Sequence, residues 1–471
     1  YPHTSYAVES GGDPDVIPEL TYEAFLAFHQ KYYHPSNSYI YLYGDMDMEE
    51  RLAYLDREYL SGYEALSVDS APAAEPPFQE MALVEKEYPI MESEPEEGNT
   101  YLSYNVSLGE NLDRKVSVGF QALADAVVGA PGAPVRKALL DAGIGTDISS
   151  FYEADVKQPY FSIVAKNAEG DQREAFVKLI EQTLQSLFED GVEKKALRAA
   201  LNHDEFRYRE ADYGSYPKGL MYGLQMFETW LYDDGRPFDY LELDGTYKAL
   251  KGEVSTAYYE NMLRDLLMEN THKSVVVVRP VRGLTGKRDK ALAARLAAKK
   301  ASMTQEEIAG IVAETKALAD YQEEPDREED LKKIPLLARE DIGKKARPYC
   351  NEELRVNDTT LLYHEIYTNG IGYLRFLFDL RQVPEELFPY VGLLQVMLGL
   401  VDTEKRSYSE LYHEIHLQTG GIAPAVNVYT NADDLSDYKL TFDLKVKTLY
   451  ENLPKAFELA AEILTESVYT D

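Results

Sequence analysis

Two stretches of the chain present the same order of predicted elements, and this repetition limits the fold more than any other feature. In 101–190 a strand is followed by a helix, a shorter helix ending at Gly143-Ile144-Gly145, two strands and a long helix. In 371–468 the same order returns, with Gly420-Gly421 at the corresponding stop. Such self-similarity indicates a duplicated unit. We therefore predict an α+β fold in which each unit is an antiparallel sheet with helices packed on one face.

Apolar spacing supports this element order. Alternating or continuous apolar patterns predict strands, and they occur at 101–108, 147–151, 160–165, 275–278, 372–378, 425–430 and 438–446. Apolar residues at helical spacing predict helices, and they occur at 116–127, 135–140, 176–187, 387–400, 408–418 and 453–464. The stretch 193–268 is also predicted to be helical, and its expected core positions are Phe206, Leu220, Met226, Trp230 and Leu231.

Residues before the first repeat predict a helix, a strand and a second helix. The first helix covers Thr21–Tyr33 and ends at His34-Pro35-Ser36-Asn37, and a strand follows over Tyr39–Tyr43. Asp47 is expected to cap the next helix, which runs towards Leu60. A single strand cannot form a sheet, so this stretch is interpreted as a fragment. The proline-rich and acidic residues of 64–97 predict a connector, with a new domain beginning near Glu80.

A charged hairpin is predicted between the repeats. Lys287–Lys300 is a basic helix, and Thr304 with Glu307 forms the capping box of a second helix. Residues 323–333 are expected to be a polar linker. At 471 residues the chain exceeds the roughly 250 to 300 residues at which single cores stop growing, so at least two domains are expected.

Charge and cysteine usage limit the partners and the compartment. The chain has 48 Lys+Arg against 82 Asp+Glu, a net charge of -34, and this field repels nucleic acid and anionic membranes. No apolar run approaches the roughly 20 residues of a membrane helix, so we expect neither nucleic acid nor membrane as a partner. Cys350 cannot form an internal disulfide, which favours the cytoplasm or another reducing compartment. The absence of an initial methionine and the abrupt end at Asp471 predict that flanking sequence, including any targeting peptide, is missing.

The histidines do not form a recognisable catalytic motif. His413 and His416 flank Glu414, but their separation of three matches neither spacing of the two-histidine zinc motifs, and we interpret them as surface and core positions of a short helix. His364-Glu365 lies in an alternating pattern, so its side chains are expected on opposite faces of a strand. We predict no catalytic residue and no metal ligand in this chain, and its substrate-binding residues remain unknown.

Three other histidines have structural interpretations. His29 and His34 flank a helix end, where His34 is expected near the terminal carbonyls. His203-Asp204-Glu205 is interpreted as a solvated helical turn. The stop Gly143-Ile144-Gly145 lacks the preceding strand and following helix of a phosphate-binding loop.

Three passages together resemble the presequence-protease branch of the insulinase superfamily. The first joins Ser10-Gly11-Gly12-Asp13-Pro14, the helix stop from Phe28 to Asn37, and Tyr43-Gly44-Asp45. The second is Gly214–Leu220 with Trp230-Leu231-Tyr232-Asp233. The third is Ile334-Pro335-Leu336-Leu337 with Glu340-Asp341-Ile342, followed by Thr419-Gly420-Gly421-Ile422. The resemblance spans nearly the whole chain.

The resemblance implies a piece of a four-domain zinc metallopeptidase whose halves close around an unfolded peptide. The end of the first domain would be 1–65, the second domain 66–280, the helical hairpin linker 281–333 and the start of the third domain 334–471. Members of this superfamily carry the inverted motif H-x-x-E-H, which binds zinc and activates water, and this chain lacks it. The resemblance therefore implies zinc in the full-length protein, none in this segment, and unstructured peptides as substrates, while the oligomeric state is unknown.

Two other interpretations stay open. The superfamily also contains subunits that have lost the metal ligands and serve as scaffolds, and a peptide-binding module without hydrolysis is a third possibility. The residues upstream of Tyr1 would distinguish an enzyme from a scaffold, whereas binding without cleavage would identify the module.

Overall fold

Two sheets with the same internal strand order organise the chain. The computed structural model describes residues 1–110, 113–345 and 348–469; of the positions discussed above, Asp471 lies outside them. The described strands are β1 (Ala82–Ile90), β2 (Thr100–Ser107), β3 (Asp147–Glu153), β4 (Tyr160–Ala168), β5 (Lys273–Arg282), β6 (Glu352–Val356), β7 (Thr359–Tyr363), β8 (Ile371–Asp379), β9 (Gly421–Thr430) and β10 (Tyr438–Leu449). The larger sheet has the order β1-β5-β2-β4-β3, the smaller β8-β10-β9, and β6 pairs with β7.

Helices connect and cover these strands. They are α1 (Tyr22–Tyr32), α2 (Met48–Leu55), α3 (Arg114–Ala124), α4 (Pro134–Asp141), α5 (Arg173–Asp190), α6 (Lys194–Glu210), α7 (Lys218–Trp230), α8 (Asp244–Glu253), α9 (Tyr258–Leu263), α10 (Leu284–Ala301), α11 (Gln305–Glu323), α12 (Glu328–Leu331), α13 (Phe388–Met397), α14 (Tyr408–Gln418) and α15 (Leu453–Thr465). Single π-turns extend α2 to Leu60, α3 to Gly129 and α9 to Met268.

The predicted repeat is confirmed at the level of strand connectivity. In the first repeat β4 lies between β2 and β3, and in the second β10 lies between β8 and β9. All four pairings are antiparallel. In each repeat the first strand therefore pairs with the third and the third with the second, and the helices fall at matching places along the chain. The α+β architecture is the predicted one.

The helices of the first repeat pack on one face of its sheet. Along β2, Leu102, Tyr104 and Val106 are buried in a core that also contains Phe176 and Ile180 of α5. The alternate residues carry polar side chains to the other face, because successive side chains of a strand point in opposite directions. The alternation of β2 is thus explained by one apolar and one polar side of the sheet.

A glycine is required at the turn between α4 and β3. Gly145 has a φ of +73°, and a Cβ built there would lie 2.7 Å from the backbone oxygen of Lys166. A side chain at this position would be strained by both the backbone conformation and the contact. In the second repeat, Gly421 (φ +133°) lies at the start of β9.

Local signals placed several helix starts. Thr21 and Asp47 accept the capping hydrogen bonds of α1 and α2, and Thr304 with Glu307 forms the predicted capping box of α11. Among the described residues, one helical stretch, Arg114–Asp141, is long and apolar enough to cross a membrane. Since 67% of its most apolar window is buried inside the protein, it is weak evidence for a membrane span.

The strand predicted over Tyr39–Tyr43 is wrong. Residues 38–43 form neither helix nor strand, and their aromatic rings pack on α7 instead. The Tyr39 ring lies 4.7 Å from that of Trp230, while Tyr41 and Tyr43 pack against Gly223 and Gly219. An isolated segment gains no ladder hydrogen bonds, so packing on a helix determines its conformation.

Three further expectations need correction. The predicted connector contains the strand β1 in the larger sheet, because Ala82–Ile90 pairs at its edge. Leu220 and Leu231 are each 50% exposed, since the buried face of α7 is Gly219, Gly223, Met226 and Thr229. His364 lies just beyond β7, where its Nδ1 is 3.1 Å from the Cys350 carbonyl oxygen.

The chain divides into two compact units. The first comprises 1–87, 97–279 and 369–471 and contains both repeats; the second comprises 88–96 and 280–368. Within the second unit, α10 and α11 form a helical hairpin joined by Ser302, Met303 and Thr304, and their described residues are all exposed or half-buried. Arg282 donates from Nε to the Glu94 carbonyl at 2.6 Å in the same unit.

Candidate functional site at the seam between the repeats

The two repeats meet where α6 packs against α14, and we call this contact the seam. Asn202 donates from Nδ2 to the Leu417 carbonyl at 3.2 Å, and Lys195 pairs with Glu414 at 3.2 Å. Phe206 is 6% exposed, and its ring lies so close to Gly420 that a Cβ there would overlap it. The seam therefore combines an aromatic contact, a hydrogen bond and an ion pair.

A cluster of titratable side chains lies at the seam. The ring centroids of His203 and His416 are 4.3 Å apart in an edge-on arrangement, and His416 Nδ1 lies 2.8 Å from the Tyr412 carbonyl oxygen. Burial lowers the pKa of His203 to about 4 and also lowers the pKa of His416. A neutral imidazole uses an N–H to meet a carbonyl oxygen, so this pair is uncharged at neutral pH.

Two carboxyl groups belong to the same cluster. Burial, with a further contribution from Asp125, raises the pKa of Asp204 to about 7. Burial raises the pKa of Asp125 to about 6. Burial destabilises the charged form of a carboxyl, and a second carboxylate nearby adds to that effect. Asp204 is therefore partly protonated at neutral pH.

A polar pocket of about 230 Å³ opens beside this cluster. Glu205 and two cations contribute to its lining: Arg209 donates to Glu205 at 2.7 Å, and Lys251 pairs with the same carboxylate. Each of these two cations is thus paired with protein. The arrangement fixes α6 to α8 and offers little uncompensated charge to a ligand.

The C-terminal end of α6 is tied to the second sheet. The Tyr373 hydroxyl donates to Glu210 at 2.8 Å, and Lys447 pairs with Glu210 at 2.9 Å and Asp212 at 3.5 Å. Ala211 ends the helix with a φ of +45°, which turns the chain after this contact. The seam is therefore held at both ends of α6.

A second polar network lies on the side of the smaller sheet away from its helices. Asp443 has no exposed surface, and its carboxylate accepts from Thr441 at 2.6 Å, Arg375 Nε at 2.8 Å and Asn427 at 2.8 Å. Despite the opposing effect of burial, hydrogen bonds from Thr441 and Arg375 hold its pKa below the usual value. This network fixes the three strands to one another.

An apolar groove of about 570 Å³ lies between α7 and the segment that precedes α2. Its lining contains aromatic and aliphatic side chains, among them Tyr41, Tyr43, Leu52, Met226 and Trp230. It lacks the convergent polar groups that orient a small ligand, so we assign it a packing role.

The histidines and the glutamate singled out in the sequence occupy structural positions. His413 is buried, so neither it nor the half-buried His416 is a surface residue. Glu414 is paired with Lys195. His34 accepts from the Ser36 backbone at 3.1 Å and caps the following turn, instead of meeting the carbonyls of α1. His29 stacks on Tyr33.

The interpretation of His203-Asp204-Glu205 as a solvated turn is wrong. All three side chains are at least partly shielded from solvent, because α14 of the second repeat covers this part of α6. Sequence reasoning missed the seam since its two helices are about 200 residues apart along the chain. The only available signal was the density of titratable residues at 203–205.

The described residues do not fit a zinc ion. Within 1–110, 113–345 and 348–469, no three His, Cys, Asp or Glu side chains come close enough together to hold a metal. The strongest pair, His203 and His416, meets edge to face, and His416 Nδ1 is directed at a carbonyl oxygen. No step of a reaction is therefore assigned to a metal in this part of the protein.

Comparison with known proteins identifies the class. The family model described as Peptidase M16 inactive domain matches residues 19–203, and a second model, for the region associated with subfamily C of the same peptidases, matches 278–471. The chain belongs to the M16 peptidase family, the insulinase (pitrilysin) superfamily, which confirms the resemblance seen in the sequence. A solved structure of pitrilysin shares the fold with a TM-score of 0.50 at 15% identity, over 98% of this chain and 46% of that one.

Within this family, the chain is similar to presequence proteases. It is 34% identical to presequence protease 1 of Arabidopsis thaliana over 433 residues, which is 90% of this chain and 40% of that protein. It is 39% identical over 471 residues to protein HypA of Clostridium perfringens, covering 100% of this chain and 48% of the relative. The mitochondrial presequence protease of Xenopus tropicalis is 26% identical, with 100% and 46% covered. The chain spans about half the length of the curated relatives it matches.

Proposed function

We propose that this chain is the non-catalytic part of a longer zinc metalloendopeptidase that degrades unstructured peptides inside a closed chamber. The observation that carries the proposal is the pair of repeats with the same strand order, the first of which overlaps the match to the M16 inactive-domain model. Similarity to presequence proteases supports peptides as the substrate class. We refer to the longer polypeptide as the parent protein.

The part played by this chain is structural. In the proposal the two repeats form chamber wall, and the seam holds them together through α6 and α14. The hairpin of α10 and α11 serves as the hinge linker over 281–333, between a second domain at 66–280 and a third beginning at 334. Two exposed helices joined by a short turn suit a linker because little core has to be broken when it moves.

The catalytic groups are assigned to the rest of the parent protein. Peptide hydrolysis near neutral pH uses zinc to lower the pKa of a bound water towards roughly 7, and a carboxylate to accept its proton. The described residues provide no group that fits the metal. What this chain contributes is the enclosure that admits an unfolded peptide and excludes a folded one by size.

Peptide cleavage tests the proposal. The parent protein and the 471-residue chain are each incubated with an unstructured peptide, with and without a chelator. We expect the parent protein to cleave the peptide and to lose activity with chelator, and the 471-residue chain to be inert. Chelator-insensitive cleavage by the 471-residue chain would contradict the assignment.

A catalytically inactive scaffold is the second candidate. The model that matches 19–203 is described as an inactive domain, which is compatible with a parent protein that binds peptides without cleaving them. A parent protein that carries no H-x-x-E-H motif, binds an unstructured peptide and leaves it intact in the presence of zinc would favour the scaffold.

A further inference from the structure

Helix α13 exposes a largely apolar surface to solvent. Its sequence, FPYVGLLQVM, contains no charged residue, and its side chains Tyr390, Leu393 and Val396 are 65%, 56% and 67% exposed. Only Val391 and Leu394 of this helix pack against the buried core of the second repeat within the described structure. A helix that is apolar on all sides is normally buried, and a contiguous exposed apolar patch marks an interaction surface.

The corresponding helix of the first repeat is covered. Helix α3 follows β2 as α13 follows β8, and the two strands hold equivalent places in their sheets. Most of the last eight residues of α3 are buried, because α6, α8 and α9 pack against it. In the first repeat these covering helices follow the repeat along the chain.

A shared glycine gives the comparison atomic detail. Val118-Gly119-Phe120 of α3 matches Val391-Gly392-Leu393 of α13. A Cβ on Gly119 would lie 2.9 Å from Leu250 of α8 and 3.2 Å from Met262 of α9, so large apolar side chains lie directly on this glycine. Around Gly392, no described residue outside its own helix turn and chain neighbours lies within 4 Å of that position.

We propose that the exposed face of α13 is the docking surface for a helical segment of the parent protein that lies outside these 471 residues. A leucine or methionine of that segment lies on Gly392, as Leu250 and Met262 lie on Gly119. The occupant is apolar because α13 presents no charge to pair with. It comes from the same polypeptide, since the relatives have about twice the length of this chain and the first repeat is covered by helices that follow it.

Cysteine reactivity in the parent protein tests the proposal. Gly392→Cys is compared with Gly252→Cys, a matched position on α8 that is exposed and has open surroundings. Modification by a maleimide is located by peptide mass spectrometry. We expect Cys at 392 to react at least roughly tenfold more slowly than Cys at 252, because a docked helix must open before the thiol can react, and to keep this protection on dilution. Equal rates would overturn the proposal, as would protection that is lost on dilution, which would identify a second copy as the occupant.

A bulky variant distinguishes docking from a local effect of the thiol. Gly392→Trp is expected to lower the melting temperature of the parent protein, since the indole occupies the space of the docked side chain. Gly252→Trp is expected to leave it unchanged. Equal melting temperatures for the two tryptophan variants would count against a docked helix at α13.

Discussion

Removal of the Phe206 side chain tests whether the seam holds the two repeats together. The ring is 6% exposed, lies against Gly420 and borders the polar pocket. Truncation of a buried phenylalanine costs about 3 to 5 kcal/mol, and we expect about 3 kcal/mol for Phe206→Ala because the adjoining pocket lets water reach the vacated space. That loss corresponds to roughly a hundredfold faster opening of the contact.

Hydrogen exchange followed by mass spectrometry measures this effect element by element. We expect faster exchange in both α6 and α14, since each helix protects the other. Phe25→Ala is the control, because Phe25 is 61% exposed on α1 and its removal leaves the seam intact. Unchanged exchange in α14 would refute the view that Phe206 joins the repeats.

A double substitution separates the contact from general loss of packing. Gly420→Ala alone forces a methyl group into the Phe206 ring and is expected to cost about 1 to 3 kcal/mol, as overpacking does. In the Phe206→Ala background the methyl has room, so the same substitution should cost much less. Additive effects would contradict direct contact between the two positions.

Two further predictions concern buried carboxylates. The stability that Asp204 gains from its raised pKa is fully present below the ordinary value of 3.8 and is lost as the pH rises through about 7; Asp204→Asn should therefore gain in melting temperature relative to the unsubstituted protein on going from pH 5 to pH 8, and a constant difference would contradict this. Asp443→Ala leaves Arg375 and Asn427 without their shared acceptor and should lower the free energy of unfolding by about 3 kcal/mol in urea titrations at pH 7. The exposed pair of Asp379 supplies the control, with less than about 1 kcal/mol expected for Asp379→Ala; equal losses would contradict the role of burial.

Sequence patterns predicted those features that depend on local chemistry. The capping residues Thr21, Asp47 and Thr304 placed three helix starts, because a side-chain oxygen satisfies backbone N–H groups of the adjoining turn. The continuous apolar run Val275–Val278 predicted a buried strand, and it lies within β5. The repeated order of elements was sufficient to predict the shared strand connectivity.

The errors arose where distant parts of the chain decide the outcome. Tyr39–Tyr43 alternates as a strand does, but its rings pack on the glycines of α7. Leu220 has the composition of a core residue and lies on the exposed side of that helix. His203-Asp204-Glu205 looks solvated until α14 covers it. Tertiary packing overrides local pattern at all of these positions.

The candidate site was less predictable than the fold. No short-range motif reports that His203 and His416 meet, since the contact depends on how the two repeats are arranged. The absence of an H-x-x-E-H motif could be read from the sequence, and it directed the catalytic assignment to the remainder of the parent protein. The docking surface on α13 became visible only when its exposure was compared with the burial of α3.

Zinc content decides whether the catalytic centre lies outside this chain. The 471-residue chain and the parent protein are dialysed to remove loosely bound ions, and zinc is measured per mole of each. We predict about one zinc in the parent protein, held by the ligands of a single site, and no stoichiometric zinc in the 471-residue chain. About one tightly held zinc in the 471-residue chain would contradict this division of roles and return His413 and His416 to consideration as ligands.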